Sequence, residues 1–208
     1  MPNHAPARRL RLALLGALVA LLGLAPLAHA DDSSPSQVRI ETNLGSFTIE
    51  LALARAPLTC AAFINNVRAG YYTGTVFHRV ISNFVVQAGG YDDKFQSKTP
   101  SATVSNESGN GLSNKRGTVG LARGDSPHSG NAQFYVNLTD NDDLDPTPLR
   151  WGYTVFGKII EGMDVVEKIG HSPTGSMGPW TRDAPLDMIV IQKAEIVGAA
   201  ATAPATAH

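Results

Sequence analysis

Short β-prone runs follow one another along most of this chain with only two helical patterns among them, and that arrangement excludes a parallel sheet. Parallel neighbours need a crossover of a dozen or more residues, usually a helix, between each pair. Ser46–Leu51 alternates, with Phe47, Ile49 and Leu51 on one face and Thr48 and Glu50 on the other, the pattern of a half-buried strand. Val38–Glu41 precedes it across Thr42-Asn43-Leu44-Gly45, a hairpin turn. Thr75–Ile81 and Phe84–Gln87 are joined by Ser82-Asn83, and Gly117–Leu121, Gln133–Asn137, Tyr153–Ile159 and Met188–Val197 complete the set. Pro57–Ala69 predicts a helix: proline suits its first turn, Cys60, Phe63, Ile64 and Val67 recur at helical spacing, and Gly70 ends it. Met163–Ile169 predicts a second, ended by Gly170. Eight strands with no βα alternation and no internal repeat predict a mainly β fold: an eight-stranded antiparallel closed barrel capped by two α-helices, since closure removes exposed edges. The 20 glycines and 13 prolines fit the many turns this needs. Two long loops, Tyr91–Lys115 and Asp140–Arg150, are candidates for function.

The ends stand apart from this pattern. Arg8, Arg9 and Arg11 precede an apolar run, Leu12–Leu24, and the small-residue site Ala28-His29-Ala30. This is the layout of a secretory signal peptide cut after Ala30, and the run is shorter than the roughly 18 residues of a spanning helix. The expected organisation is therefore a signal peptide over 1–30, a linker over 31–36, a folded domain over 37–197 and an Ala-rich disordered tail over 198–208. The expected location is the periplasm, with no stable membrane anchor after cleavage. Arg8-Arg9 leaves Sec and twin-arginine export both open.

Composition removes other classes. With 17 Lys+Arg against 18 Asp+Glu the chain lacks the basic excess of a nucleic-acid binder. Its single cysteine excludes an intrachain disulfide framework and places Cys60 in the core on a helix. His78, His128, His171 and His208 are not at metal-ligand spacing, and the acidic run Asp140, Asp142, Asp143, Asp145 has Asp145 where a calcium loop requires glycine. Gly109-Asn110-Gly111 meets Asn114 where a dinucleotide fingerprint needs its third glycine. No metal and no cofactor are expected. Asn106-Glu107-Ser108 and Asn137-Leu138-Thr139 match the glycosylation pattern, a match that is common by chance.

The informative block is Phe77-His78-Arg79-Val80-Ile81-Ser82-Asn83-Phe84-Val85-Val86-Gln87-Ala88-Gly89-Gly90. Strand alternation puts Phe77, Arg79 and Ile81 on one face. An arginine among aromatics and aliphatics must either pair with a carboxylate at a barrel rim or line an open groove. Two further blocks follow, Gly117–Arg123 with Asn131–Asn137, and Tyr153–Val166.

In that order, the three blocks resemble the cyclophilins, peptidyl-prolyl cis-trans isomerases, and most closely those of the bacterial exported type, over about Val38–Val197. The resemblance implies an eight-stranded barrel with two helices and proline-containing polypeptides as substrates. It implies Arg79 as the catalytic arginine, with Phe84 and Gln87 also catalytic. It implies that Val85, Ala122, Arg123, Gln133, Phe134, Tyr135, Leu144 and Tyr153 contact substrate. Val85 stands where the family has methionine, Arg123 where it has asparagine, and Tyr135 where it has phenylalanine. Asp143 falls where many eukaryotic members have the tryptophan that contacts cyclosporin, and Tyr153 where they have histidine. The expected function is X-Pro isomerisation that assists the folding of exported proteins, by a monomer. The competing expectations are a catalytically idle proline-peptide binding module on the same fold, acting as a chaperone or adaptor, and, weakened by having only two tryptophans and no metal motif, an exported barrel that binds a carbohydrate or small ligand.

Overall fold

The computed structural model describes Met1 and residues 36–98 and 102–197. The expected signal peptide beyond Met1, the linker before Ser36 and the tail from 198 onward lie outside the described residues. The elements are β1 (Gln37–Thr42), β2 (Gly45–Leu51), α1 (Pro57–Arg68), β3 (Thr75–Ile81), β4 (Val85–Asp92), β5 (Thr118–Leu121), β6 (Phe134–Asn137), β7 (Val155–Glu161), α2 (Met163–Gly170), β8 (Thr174–Met177), β9 (Trp180–Pro185) and β10 (Ile191–Val197). One antiparallel sheet of eight strands runs in the order β10-β1-β2-β7-β5-β6-β4-β3, and β8 pairs with β9 apart from it.

Three corrections to the sequence expectation have physical causes. The barrel is not closed by a full ladder: between its end strands lie one bridge, Val76–Val190, and the bonds Phe77 N–H to Ile189 O (2.9 Å) and Gly74 N–H to Ile191 O (2.8 Å). The β8–β9 hairpin was not expected, because its strands are short, polar and glycine-broken; what holds it is Trp180, packed on His78, Tyr91 and Phe95. The β4 strand runs five residues past Gln87, through Gly89 and Gly90. A Cβ on Gly89, which has φ +87°, would press on Ala132 O and the Tyr72 ring, and one on Gly90 would meet the Gln133 amide. Glycine here permits close approach inside a strand rather than ending it.

The core lies between the sheet and the two helices. Phe63 of α1 stacks against Tyr72, Phe134 and Phe156 at centroid distances of 5.0–5.6 Å. Cys60 is fully buried one turn earlier, its thiol directed at Phe156 O (3.4 Å), and burial pushes its pKa up to about 12. Val166 and Ile169 bury the inner face of α2. Pro57 opens α1 as expected, but Ala56 offers no side-chain cap. Glu107 supplies it from the long loop, accepting from Leu58 N–H (3.1 Å), Thr59 N–H (2.9 Å) and the Thr59 hydroxyl (2.7 Å). The carboxylate also sits where the helix dipole favours negative charge. Both asparagines of the glycosylation pattern are engaged: Asn137 is buried, and Asn106 Nδ2 donates to Pro127 O and Gly152 O.

Candidate active site

Register builds the site. Arg79 of β3 is paired with Gln87 of β4, Gln87 with Tyr135 of β6, and Tyr135 with Gly120 of β5, so three side chains form one row across the sheet. Between Phe77 and Arg79 the register slips: Phe77 opposes Ala88 while Arg79 opposes Gln87, two steps against one. This β-bulge overturns the expectation that Phe77 and Arg79 share a face. Phe77 and Val80 enter the core, and Arg79 turns outward to the groove. Gly120 completes the row by omission, because any Cβ there would fall inside the Tyr135 ring.

The result is a pocket of about 190 Å³ lined by Arg79, Phe84, Val85, Gln87, Ala122, Arg123, Tyr135, Leu144 and Tyr153. Nine of the eleven residues expected from sequence thus surround one cavity. Arg79 donates from Nη1 to Gln87 Oε1 at 3.4 Å, and its Cζ lies 5.9 Å from the centre of the Phe84 ring. Among the described residues it makes no salt bridge, so the alternative of a rim arginine held by a carboxylate does not apply. Phe84, Val85, Tyr135 and Leu144 supply an apolar socket beside this guanidinium.

Two expected residues lie elsewhere. Phe134 is fully buried against Phe63, Tyr72 and Phe77, because successive strand residues point to opposite faces and Tyr135 takes the groove side; it cannot touch substrate. Gln133 is partly exposed, does not line the cavity, and accepts from Gln87 Nε2 at 2.9 Å. Arg123 lines the pocket, but its guanidinium is occupied: it lies 4.4 Å over the Tyr153 ring and donates to Gly152 O, Trp151 O and Gly124 O. Ala122 N–H is taken by Gln133 O (2.9 Å), leaving the Ala122 carbonyl and the Arg123 backbone for a bound peptide.

Sequence reasoning missed the polar network under the pocket floor. The Tyr135 hydroxyl donates to Asn114 Oδ1 at 2.6 Å, and Asn114 N–H and Nδ2 both donate to Asp145 Oδ1 at 2.8 Å. Asn137 Nδ2 reaches the same Asn114 oxygen at 3.2 Å, while Asn141 Nδ2 donates to Asn137 Oδ1 (2.7 Å) and Phe84 O (3.1 Å). Burial pushes the Tyr135 phenol well above its ordinary range, so it remains a proton donor. The one signal was Tyr135 itself, since a buried phenol must find a partner; nothing in the sequence pointed to Asn114.

Two other depressions are larger. One, of about 240 Å³, lies by β2 and β7, and its Lys158 ammonium is paired with Glu50 at 2.9 Å. The other, of about 390 Å³, lies beside residues 146–151, and its Arg150 guanidinium is occupied by the carbonyls of Asp143 and Asp145. Of these three, the cavity of about 190 Å³ holds a guanidinium, that of Arg79, which among the described residues bonds neither a carboxylate nor a backbone carbonyl and faces an apolar socket.

An eight-stranded antiparallel half-barrel with two helices and such a site defines a class, and comparison with known proteins gives the same one. The profile of the cyclophilin type peptidyl-prolyl cis-trans isomerases matches residues 37–196. A Streptomyces antibioticus peptidyl-prolyl cis-trans isomerase is 45% identical over 166 residues, covering 78% of this chain and 99% of its own. Peptidyl-prolyl cis-trans isomerase A of Dickeya dadantii is 38% identical, covering 88% and 97%. A Cryptosporidium parvum cyclophilin type isomerase, crystallised in the presence of the dipeptide Ala-Pro, superimposes with a TM-score of 0.63 at 25% identity, covering 77% of this chain and 98% of its own. The chain belongs to the cyclophilin-type peptidyl-prolyl cis-trans isomerases.

Proposed function

We propose that this pocket rotates X-Pro bonds in exported polypeptides, with Arg79 stabilising the twisted state. Rotation is slow because amide resonance must be broken, a barrier of roughly 18–20 kcal/mol. In the twisted state the prolyl nitrogen regains its lone pair and accepts a hydrogen bond that it cannot accept when planar. A fixed guanidinium aimed at that nitrogen binds the transition state more strongly than the ground state, which is what lowers a barrier. The proline ring seats on Phe84, Val85, Tyr135 and Leu144, while Gln87 and the backbone at Ala122-Arg123 hold one side of the peptide still.

The observation that carries this reading is Arg79 itself, which has no carboxylate partner among the described residues and faces the apolar socket. A module that only held proline peptides would have no use for it. The Ala-Pro dipeptide present with the Cryptosporidium relative supports proline-containing substrates here. The signal-like residues 1–30 support action in the periplasm, without a membrane anchor once they are removed. A pocket complete within one chain supports action as a monomer.

The deciding measurement is a protease-coupled isomerisation assay on an Ala-Pro peptide with the chain from Asp31 onward. Arg79→Ala lowers kcat by two to three orders of magnitude, by analogy with loss of one transition-state donor at about 2.7–4 kcal/mol. Near-normal turnover by a folded Arg79→Ala protein overturns the assignment. Mass spectrometry of the mature protein from the host envelope tests export; an intact amino terminus overturns that part.

A further inference from the structure

Leu144 and Tyr153, two walls of the proline pocket, are also the base of a small hairpin. Tyr153 N–H donates to Leu144 O at 2.8 Å, and the chain between them folds back through the Thr147–Arg150 bridge. The tip is the two-residue turn Pro148-Leu149, with Thr147 N–H bonded to Arg150 O (2.9 Å) and Arg150 N–H to Thr147 O (3.2 Å).

This hairpin is pinned on every side. Arg150 Nη2 donates to Asp143 O (2.6 Å) and Asp145 O (3.1 Å). Arg123 Nη2 donates to Trp151 O (2.9 Å), Asn106 Nδ2 to Gly152 O (3.0 Å), and Gly152 N–H to the Ser108 hydroxyl (3.1 Å). Gly152 packs so closely on Pro146 that no Cβ fits, and two prolines fix φ in the first strand and the turn. Yet this stiff element presents Leu149 at 98% exposure and Trp151 at 49%, both lining the groove of about 390 Å³ that it forms with Ser108 and Gly109. A single exposed leucine is ordinary. A leucine and a tryptophan carried on a pinned backbone beside one groove make an apolar binding face whose main chain has little ordering left to do.

We infer that this groove is a second subsite of the same enzyme, taking an apolar or aromatic side chain of the polypeptide whose X-Pro bond occupies the Arg79 pocket. Continuity decides the occupant. The hairpin begins at one wall of the pocket and ends at another, and Arg123 lies over Tyr153 while holding Trp151 O. A chain lying across the pocket rim meets the hairpin next. The groove is also in the usual size range for apolar ligand sites. The inference rests on the proposed isomerase pocket and adds a preference: unfolded chains with large apolar residues flanking the proline are favoured over polar ones.

The test uses two long peptides with a central Ala-Pro, one flanked by Leu and Trp and the other by Ser at the same positions. Exchange spectroscopy gives kcat and KM, and a separate titration followed by chemical shift gives affinity. The wild-type protein binds the apolar peptide about five- to twentyfold more tightly, the scale of partial burial of one large side chain. The Leu149→Ser/Trp151→Ser protein loses that margin and treats the Ser-flanked peptide as the wild type does. Equal affinity of the wild type for both peptides overturns the inference, as does a margin that survives in the double variant. Sedimentation as a dimer that Leu149→Ser dissociates would assign the face to a second copy instead. If neither peptide is isomerised the pocket assignment fails, while the titration still decides the groove.

Discussion

Gln87 donates Nε2–H to Gln133 Oε1 at 2.9 Å, and this bond decides which way its own carbonyl oxygen points: to Arg79 Nη1, 3.4 Å away. Gln133 thereby acts on the guanidinium at one remove, as a positioning residue. Gln133→Ala frees the Gln87 amide to rotate and lowers kcat on an Ala-Pro peptide, by about tenfold or less, since misplacement near a reacting group can cost roughly a hundredfold. Gln133→Glu keeps an acceptor for Nε2–H and restores most of the rate. A purely structural role would instead lower stability in both variants and leave kcat per folded molecule unchanged, which urea unfolding alongside the assay distinguishes.

The Tyr135–Asn114 bond yields a second prediction. Tyr135→Phe removes the hydroxyl but leaves Asn114 Oδ1 its bond from Asn137, so stability falls by only about 1 kcal/mol and the socket keeps its ring. Asn114→Ala is worse: it strands a buried phenol and removes the Nδ2 donor to Asp145, leaving only the backbone N–H there, for a loss of about 2–4 kcal/mol. Chemical denaturation of both proteins reads this ordering, and equal losses would contradict it.

Much of this arrangement was legible beforehand, for identifiable reasons. Thr75–Ile81 was bounded correctly because a β-branched run ended by Ser82-Asn83 leaves no other reading, and Asn83 does adopt a positive φ of 58°. Pro57 and Gly70 bracketed α1 for the same local reason. The bulge at His78 was not legible, because alternation assumes a ladder without slips, and only the partner strand reveals one. Nor was the interior placement of Phe134, which the resemblance carried into the site along with its neighbour. The network through Asn114, Asn137 and Asn141 joins segments distant in sequence, and polar residues in loops carry no period.

His78 gives the protein a pH dependence below neutrality. Its ring lies 4.8 Å from that of Tyr91 and 5.5 Å from that of Trp180, with Nδ1 buried and unpartnered. Burial, with Arg79 as a lesser repulsion, lowers its pKa to about 4. The unfolded chain takes up a proton near pH 6.5 and the folded one does not until about 4, so stability falls as pH drops through that window and is constant above it. The expected loss attributable to this residue is about 3 kcal/mol between pH 7 and pH 4. Urea midpoints across that range, compared with those of His78→Phe, isolate it from the carboxylates; parallel curves would refute it.

By the resemblance, Asp143 falls where cyclosporin-sensitive cyclophilins carry tryptophan. Asp143 is exposed on the short 3₁₀ turn Asp142–Leu144, with its carbonyl held by Arg150 and the next residue, Leu144, lining the pocket. An indole there would donate a hydrogen bond and cover apolar ligand surface; a carboxylate can do neither, and would be partly desolvated against the ligand's carbonyls. A hydrogen bond lost in a closed interface is worth about 0.5–1.5 kcal/mol, and with the desolvation the affinity falls about ten- to a few-hundredfold. Turnover does not depend on that side chain, because Phe84, Val85, Tyr135 and Leu144 form the socket without it. Asp143→Trp therefore tightens cyclosporin binding while leaving kcat/KM on a short Ala-Pro peptide within about twofold, a rate effect of less than 0.5 kcal/mol. Calorimetric titration of both proteins checks this, and tight binding by the wild type would show that the turn presents another group to the ligand.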